Sequence, residues 1–289
     1  MFLQQLINGK VIGCVYALTA MGATLVYGIM RILDISNAGA YAVGAYIGLF
    51  AYTYTGNLLL AFLLGMALTS ILGFGVQKFL YAPMMDKPPN VALIASIGLF
   101  IFLQDFIRLV AGPNIRDFHT RAILPDIHMD NLGLSINGKW LLILLATGLL
   151  LGLLWFLLNR TAVGMAWKAT AQDLETAKAM GVNVNVVVAL NFLLGYGFAA
   201  AAGIMVGILY SSISPTMGDI PAYKMLAVIV LGGLGNPVGT VVAALLIGLA
   251  ETMVGGYIGF FLPRDAIAFV VLIGILMWRP QGLLGRKGA

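Results

Sequence analysis

The few side chains in this sequence that could do chemistry lie inside long apolar stretches. Gln104 and Asp105 belong to the stretch 90–111, and Glu251 belongs to the stretch 224–256. Polar and ionisable groups are costly in the core of a bilayer, and they commonly mark the path of a transported solute. A pathway inside a membrane is therefore the first function to consider for these residues.

Other residues of the apolar stretches could line the same pathway. The seventh stretch is broken by Gly232-Gly233-Leu234-Gly235-Asn236-Pro237, and a broken helix leaves backbone groups that attract charged groups such as a carboxylate. The residues that we predict to line a translocation pathway are Asn37, Gln104, Asn191, Gly233, Gly235, Asn236 and Glu251. Tyr16 and Tyr27 are further candidates.

Each of these residues also has a structural alternative. The glycines of the break could form a tight packing bend, and Asn191 could hydrogen-bond across helices, as buried amides commonly do. Asp105 and Arg108 are three residues apart, so they could pair with each other on one helix face. Interfacial anchoring is the alternative for Tyr27 beside Arg31.

Catalytic and metal chemistry have little support in the sequence. The single cysteine, Cys14, lies in an apolar stretch, and His119 and His128 share one polar loop without an evident ligand grouping. The chain has no phosphate-binding Gly-x-x-x-x-Gly-Lys-Ser/Thr motif. We expect no catalytic residue, no metal site and no cofactor in this chain.

The composition indicates a membrane protein. The chain has 289 residues, of which 61% are hydrophobic and 9% are charged, whereas soluble domains carry roughly 25% charged residues. Because a spanning helix needs about 20 apolar residues, we predict an all-α, polytopic transmembrane bundle of about 8 spans. The predicted spans are 6–30, 36–55, 57–80, 90–111, 138–158, 186–211, 224–256 and 264–279, of which the seventh is read as a short helix, a break and a longer helix.

We treat residues 1–289 as one transmembrane domain with two long polar connections. The connection 112–137 is predicted to face the periplasm, and the connection 159–185 and the C-terminus are predicted to face the cytoplasm. This orientation follows the excess of Lys and Arg on cytoplasmic loops. The basic residues placed inside by it are Arg31, Lys78, Lys87, Arg160, Lys168, Lys178, Arg279, Arg286 and Lys287.

The connection 159–185 is the most specific feature of the sequence. It is too polar to span a membrane but rich in helix-forming residues, so we predict a surface helix with a bend at Gly181. Its Ala-rich pattern with acidic residues resembles the coupling loop of ABC importer permeases. The residues that carry this pattern are Ala171, Asp173, Glu175, Ala177, Ala179 and Gly181. An interfacial helix without a partner is the alternative.

The resemblance extends along almost the whole chain. It includes Val15-Tyr16-Ala17-Leu18, Ala95-Ser96-Ile97-Gly98, Met180-Gly181-Val182-Asn183, Val230-Leu231-Gly232-Gly233-Leu234-Gly235 and Arg279-Pro280-Gln281-Gly282-Leu283-Leu284-Gly285-Arg286. Through these stretches the chain resembles the LivH-type permease subunits of branched-chain amino acid ABC importers. One departure is Asp34-Ile35-Ser36-Asn37-Ala38-Gly39, where the family pattern has a histidine and this chain has Asn37.

The resemblance implies a transport subunit without an ATPase site of its own. Its expected partners are a second permease (LivM-type, or a second copy), two cytoplasmic ATPases that bind ATP and Mg, and a periplasmic binding protein. The expected location is the bacterial inner membrane, and the expected coupling residues are Ala171, Asp173, Glu175, Ala179 and Gly181. Two alternatives stay open: an importer of the same class for urea or short amides, and an ion-coupled secondary transporter.

Overall fold

A computed structural model describes residues 2–85, 87–120, 127–129, 134–257, 264–279 and 281–285. Predicted features at 121–126, at 130–133, at Pro280 and at 286–289 lie outside the described residues. The helices are α1 (Phe2–Met30), α2 (Ser36–Thr55), α3 (Leu58–Val76), α4 (Pro89–Ala111), α5 (Gly138–Arg160), α6 (Ala162–Gln172), α7 (Leu174–Ala179), α8 (Val184–Tyr210), α9 (Asp219–Gly232), α10 (Pro237–Tyr257) and α11 (Arg264–Trp278). The strands are β1 (Arg116–Asp117), β2 (Ile127–Met129), β3 (Leu134–Ile136) and β4 (Ser212–Ile213).

The predicted all-α membrane bundle is confirmed. Within the described part of the chain, six helices are long and apolar enough to cross a bilayer alone: α1, α3 with its π and 3₁₀ extension to Met84, α4, α5, α8 and α10. Helix α2 is buried along much of its length, where Tyr41, Tyr46 and several small residues pack against protein. Helices α9 and α11 are shorter, with 14 and 15 residues.

Helices α1 and α8 form the centre of the bundle. In their most apolar 18-residue windows, 72% of α1 and 78% of α8 is buried, against 22% for both α3 and α4. The central helices are rich in glycine and alanine, which allows helix backbones to approach closely in a membrane. One close approach lies at Gly203 on α8, where an added β-carbon would lie 2.0 Å from the backbone oxygen of Tyr41 on α2.

Side-chain caps define several helix starts. Asn57, Asn137 and Thr161 accept hydrogen bonds from backbone N–H groups in the first turns of α3, α5 and α6. Asn183 does the same for α8. These caps satisfy donors that a helix N-terminus leaves unpaired, so the connections between helices can be short.

Strand pairs identify one end of the bundle. Strands β1 and β4 pair antiparallel, Arg116 with Ile213 and Asp117 with Ser212, and they join the connection after α4 to the connection after α8. We call this end the β1–β4 end. The opposite end carries α6 and α7 together with the turn 233–236, and we call it the α6–α7 end.

A buried carboxyl lies between α1 and α2. Asp34 is fully buried and accepts hydrogen bonds from the Ser36 backbone N–H at 3.0 Å and from the Tyr81 hydroxyl at 2.7 Å. The Ser36 hydroxyl also bonds the Tyr196 hydroxyl on α8 at 2.7 Å. This network ties the α1–α2 connection to α8 and to the end of α3.

Candidate functional site: a coupling segment and a charged cavity

The predicted surface helix is two helices. Asp173 has an extended backbone, with φ −152° and ψ 115°, and it separates α6 from α7. Its carboxylate accepts hydrogen bonds from the backbone N–H groups of Glu175 and Thr176 and from the Thr176 hydroxyl. The prediction of one continuous helix before Gly181 was therefore wrong, because Asp173 acts as the N-cap of a new helix.

The predicted bend at Gly181 is confirmed. Gly181 has φ +85°, a backbone conformation that favours glycine. The Val182 N–H donates to the Ala177 oxygen and the Gly181 N–H donates to the Lys178 oxygen, both at 3.0 Å. This pair of bonds is the Schellman arrangement that ends a helix and redirects the chain, here toward α8.

The segment α6–α7 has one face on the bundle and one face exposed. Trp167 and Ala177 are buried, and an added β-carbon at Gly28 of α1 would lie 2.8 Å from the Trp167 ring. The predicted coupling residues Asp173, Glu175, Ala179 and Gly181 are exposed, and Ala171 is half-buried. A short helical segment that is anchored by an aromatic side chain and presents polar groups can transmit motion from a docked protein to the bundle.

A cavity of about 470 Å³ lies toward the β1–β4 end. Residues of β4 and the turn after it, Ser212 to Ser214, line the cavity together with residues of α1, α8 and α9. Most of the lining is apolar, and it includes Ile12, Val15, Val206, Leu209, Met217 and Ile220. A volume of this size lies within the roughly 300–1,000 Å³ that small-molecule sites occupy.

Three polar side chains form a closed set of hydrogen bonds in the cavity wall. Lys224 Nζ on α9 donates to Glu251 Oε2 on α10 at 2.9 Å and to the Tyr16 hydroxyl on α1 at 2.7 Å. The Tyr16 hydroxyl donates to the same Glu251 oxygen at 2.8 Å. The Lys224 and Glu251 side chains are only 5% and 4% exposed. We call Tyr16, Lys224 and Glu251 the charged triad.

Packing alone does not explain the charged triad. Each buried charge costs several kcal/mol of desolvation, and well-packed apolar residues of similar volume often replace such a pair without loss of stability. An ion pair inside a membrane is therefore a candidate functional site. Here the pair lies beside a cavity large enough for a small solute.

The structure places the other predicted pathway residues away from this cavity. Among the described residues that line it, Glu251 and Tyr16 are the two that the sequence analysis had named for the pathway. The Asn37 side chain donates to the Thr19 carbonyl at 2.9 Å, and the Gln104 side chain donates to the Asp219 carboxylate at the start of α9. Asn191 is buried, and its side-chain nitrogen lies 3.5 Å from the Leu25 carbonyl. Their role in transport stays a prediction.

The break in the seventh stretch lies at the α6–α7 end. It is the turn between α9 and α10, so the predicted short helix, break and longer helix are confirmed. Gly233 and Gly235 have φ values of +101° and +77°, and the Asn236 side chain caps α10 while its nitrogen donates to the Leu284 carbonyl at 2.8 Å. The Leu283 and Leu284 N–H groups donate to the carbonyls of Leu231 and Gly232, at 2.7 and 3.3 Å. The segment 281–285 thus completes the end of α9.

Sequence reasoning missed Lys224. Lys224 was not among the predicted pathway residues, because part of α9, a turn and most of α10 separate it from Glu251 in the sequence. The available signal was a pair of opposite charges on the two arms of one broken apolar stretch. Once those arms form a hairpin, the charges lie on neighbouring helices.

The predicted Asp105–Arg108 pair is confirmed, with 2.8 Å between Nη1 and Oδ1. Its side chains are 54% and 45% exposed, and the pair lies within two turns of the end of α4, where a water-exposed ion pair contributes about 0–1 kcal/mol to stability. We expect Asp105→Asn with Arg108→Gln to leave protein yield and transport near wild-type levels. Thermal unfolding of the purified protein and solute uptake would measure this, and a large loss of either would give the pair a role beyond a surface contact.

Comparison with known proteins identifies the family. The family model described as "Branched-chain amino acid transport system / permease component" matches residues 5–278. The chain belongs to this family. The LivH permease of the high-affinity branched-chain amino acid transport system of Escherichia coli K12 is 32% identical over 99% of this chain and 96% of LivH. This permease is thus a multi-pass membrane protein of a transport system.

Two further similarities bear on its architecture. The LivM permease of the same named system in Escherichia coli K12 is 22% identical, over 93% of this chain and 68% of LivM. A solved metal-chelate type ABC transporter in an inward-facing conformation has a TM-score of 0.51 with 17% identity, covering 96% of this chain and 87% of that one. The second similarity concerns the fold alone, and it agrees with an ABC permease architecture.

Proposed function

We propose that this permease is a membrane-spanning subunit of an ATP-driven importer that moves branched-chain amino acids (Leu, Ile and Val) into the cytoplasm. The observation that carries the proposal is the similarity to LivH, at 32% identity along nearly the full length of both chains. The apolar cavity beside the charged triad supports it, because the solute would carry an aliphatic side chain and two charged groups.

In the proposed complex, ATP hydrolysis belongs to separate subunits. Two cytoplasmic ATPases bind ATP and Mg, and one of them docks on the exposed face of α6–α7. The absence of a phosphate-binding motif in the chain supports this division of labour. When the ATPases close, α6–α7 moves as a rigid unit together with the part of α1 that contacts Trp167. That motion tilts the central helices relative to the rest of the bundle.

The other proposed partners follow from the two ends of the bundle. A periplasmic binding protein delivers solute at the β1–β4 end, where the cavity lies. A second permease of the LivM type completes the pathway, since one named system in one organism has both LivH and LivM and this chain is similar to both. The complex resides in the bacterial inner membrane, with α6–α7 and the C-terminal segment in the cytoplasm.

Reconstitution would test the proposal. Co-expression with a LivM-type permease, the two ATPases and the binding protein should yield one complex that accumulates radiolabelled leucine in proteoliposomes only when ATP is inside. Isoleucine and valine should compete, and urea should not. Uptake of urea but not leucine would favour the amide importer, and proton-driven uptake by this chain alone would contradict an ATP-driven mechanism.

A further inference from the structure

The charged triad has the chemistry of a receptor for a solute that carries both charges. We propose that the cavity of the permease is a transient binding site for α-amino acid zwitterions. In this site Lys224 receives the α-carboxylate, and Glu251 with Tyr16 receives the α-ammonium. This inference rests on the proposed function and extends it, since it assigns a solute site within the permease and names the groups that recognise the solute.

Charge balance is the first reason. In the resting cavity Lys224 and Glu251 neutralise each other at 2.9 Å. A zwitterion that inserts between them replaces one ion pair by two and keeps the cavity neutral at every stage. A solute with one charge would leave a net charge in surroundings where both side chains are at most 5% exposed, which is strongly unfavourable.

Geometry is the second reason. Tyr16 already donates to Glu251 and accepts from Lys224, so its hydroxyl can remain bonded to either partner while the ion pair opens. The three side chains come from three helices, α1, α9 and α10. Exchange of their mutual bonds for bonds to the solute would therefore couple occupancy of the cavity to the relative positions of these helices.

The apolar lining is the third reason. Val206, Leu209, Met217 and Ile220 line the same cavity as the charged triad. A branched aliphatic side chain can lie against this surface while its backbone groups contact the triad. A neutral amide such as urea has no need of either feature, so the cavity favours an amino acid over the amides that the sequence alone left open.

Cysteine protection gives a direct test. In a Cys14→Ala background, Ser214→Cys places one thiol in the cavity lining, and its alkylation rate by a small maleimide is measured in the assembled complex without the binding protein. Leucine, up to about 100 mM, should slow alkylation at least about threefold. Leucinamide lacks the carboxylate and 4-methylpentanoate lacks the ammonium, so each should protect at least about tenfold less effectively. Equal protection by all three compounds, or none by leucine, would overturn the proposal.

A neutral double variant separates binding from folding. Lys224→Met with Glu251→Gln removes both charges at nearly constant volume, so it leaves no unpaired buried charge and should assemble normally. In this variant we expect leucine no longer to slow alkylation of the cavity thiol, and we expect leucine uptake to fall at least about tenfold. Asp105→Asn with Arg108→Gln, which neutralises the exposed pair, is the matched control and should keep both.

The outcomes also separate this inference from the proposed function. If the double variant takes up leucine at the wild-type rate, the triad is structural and the zwitterion site is wrong, while ATP-driven leucine import stands. If the wild-type complex shows no ATP-dependent leucine uptake, the proposed function itself fails, whatever the protection assay gives.

Discussion

Gly203→Leu is expected to prevent recovery of folded permease. Gly203 is buried on α8, and an added β-carbon would lie 2.0 Å from the Tyr41 oxygen and 2.9 Å from its carbonyl carbon. Those are backbone atoms of α2, so relief requires the two helices to separate rather than one side chain to rotate. Because overpacking a well-packed core costs about 1–3 kcal/mol and often more when the backbone must move, we expect loss of most monodisperse protein in detergent size exclusion.

A matched glycine on an outer helix provides the control. Gly152 lies in the apolar helix α5, is exposed, and has no atom within 4 Å of the position of an added β-carbon among the described residues. Gly152→Leu changes hydrophobicity and helix propensity in the same way, and it should give wild-type yield and thermal stability. If the two variants behave alike, the contact between α2 and α8 is looser than the structure shows.

Gly181→Pro is expected to stop uptake while ATP hydrolysis continues. The substitution removes the N–H that bonds the Lys178 oxygen, and a proline φ near −65° is incompatible with the observed +85°. The connection from α7 to α8 would therefore lose its defined direction. In the proposed complex the docked segment would still contact an ATPase, but its displacement would no longer reach α8.

Leucine uptake and ATPase activity in proteoliposomes would measure the effect of Gly181→Pro. We expect leucine uptake to fall at least about tenfold and the ATPase to lose its stimulation by substrate. Gly56→Pro is the matched control, because Gly56 also follows a helix with φ +63° but lies between α2 and α3, far from α6–α7. Normal substrate-stimulated hydrolysis and uptake in Gly181→Pro would show that this turn does not transmit force.

The spans could be predicted from sequence because their signal is local. Apolar runs longer than a bilayer requires predicted each long helix to within a few residues, as for α2 at 36–55 and α4 at 89–111. The bend at Gly181 was predictable for the same reason, since a glycine after a helix commonly adopts a positive φ. The break at Asp173 was missed because the alanines around it favour helix more strongly than one capping residue opposes it.

The charged triad could not be predicted, because it depends on packing between distant helices. Lys224 lies about 12 Å along α9 from the hairpin turn, and Glu251 lies about 21 Å along α10, at 1.5 Å per residue. Residues at equal distances from the turn lie opposite each other in a hairpin, and Lys224 and Glu251 are not at equal distances. Tyr16 belongs to a third helix. The relative tilt and offset of α9 and α10 bring the two charges within 2.9 Å, and no local pattern encodes that offset.

The backbone bonds from Leu283 and Leu284 to α9 have a consequence for biogenesis. Those two residues are synthesised after α10 and α11, yet they supply donors for carbonyls at Leu231 and Gly232. Until translation has reached Leu284, the C-terminal end of α9 must rely on water or lipid headgroups for those bonds. Completion of this corner of the permease therefore has to wait for the synthesis of α10, α11 and the segment that follows them.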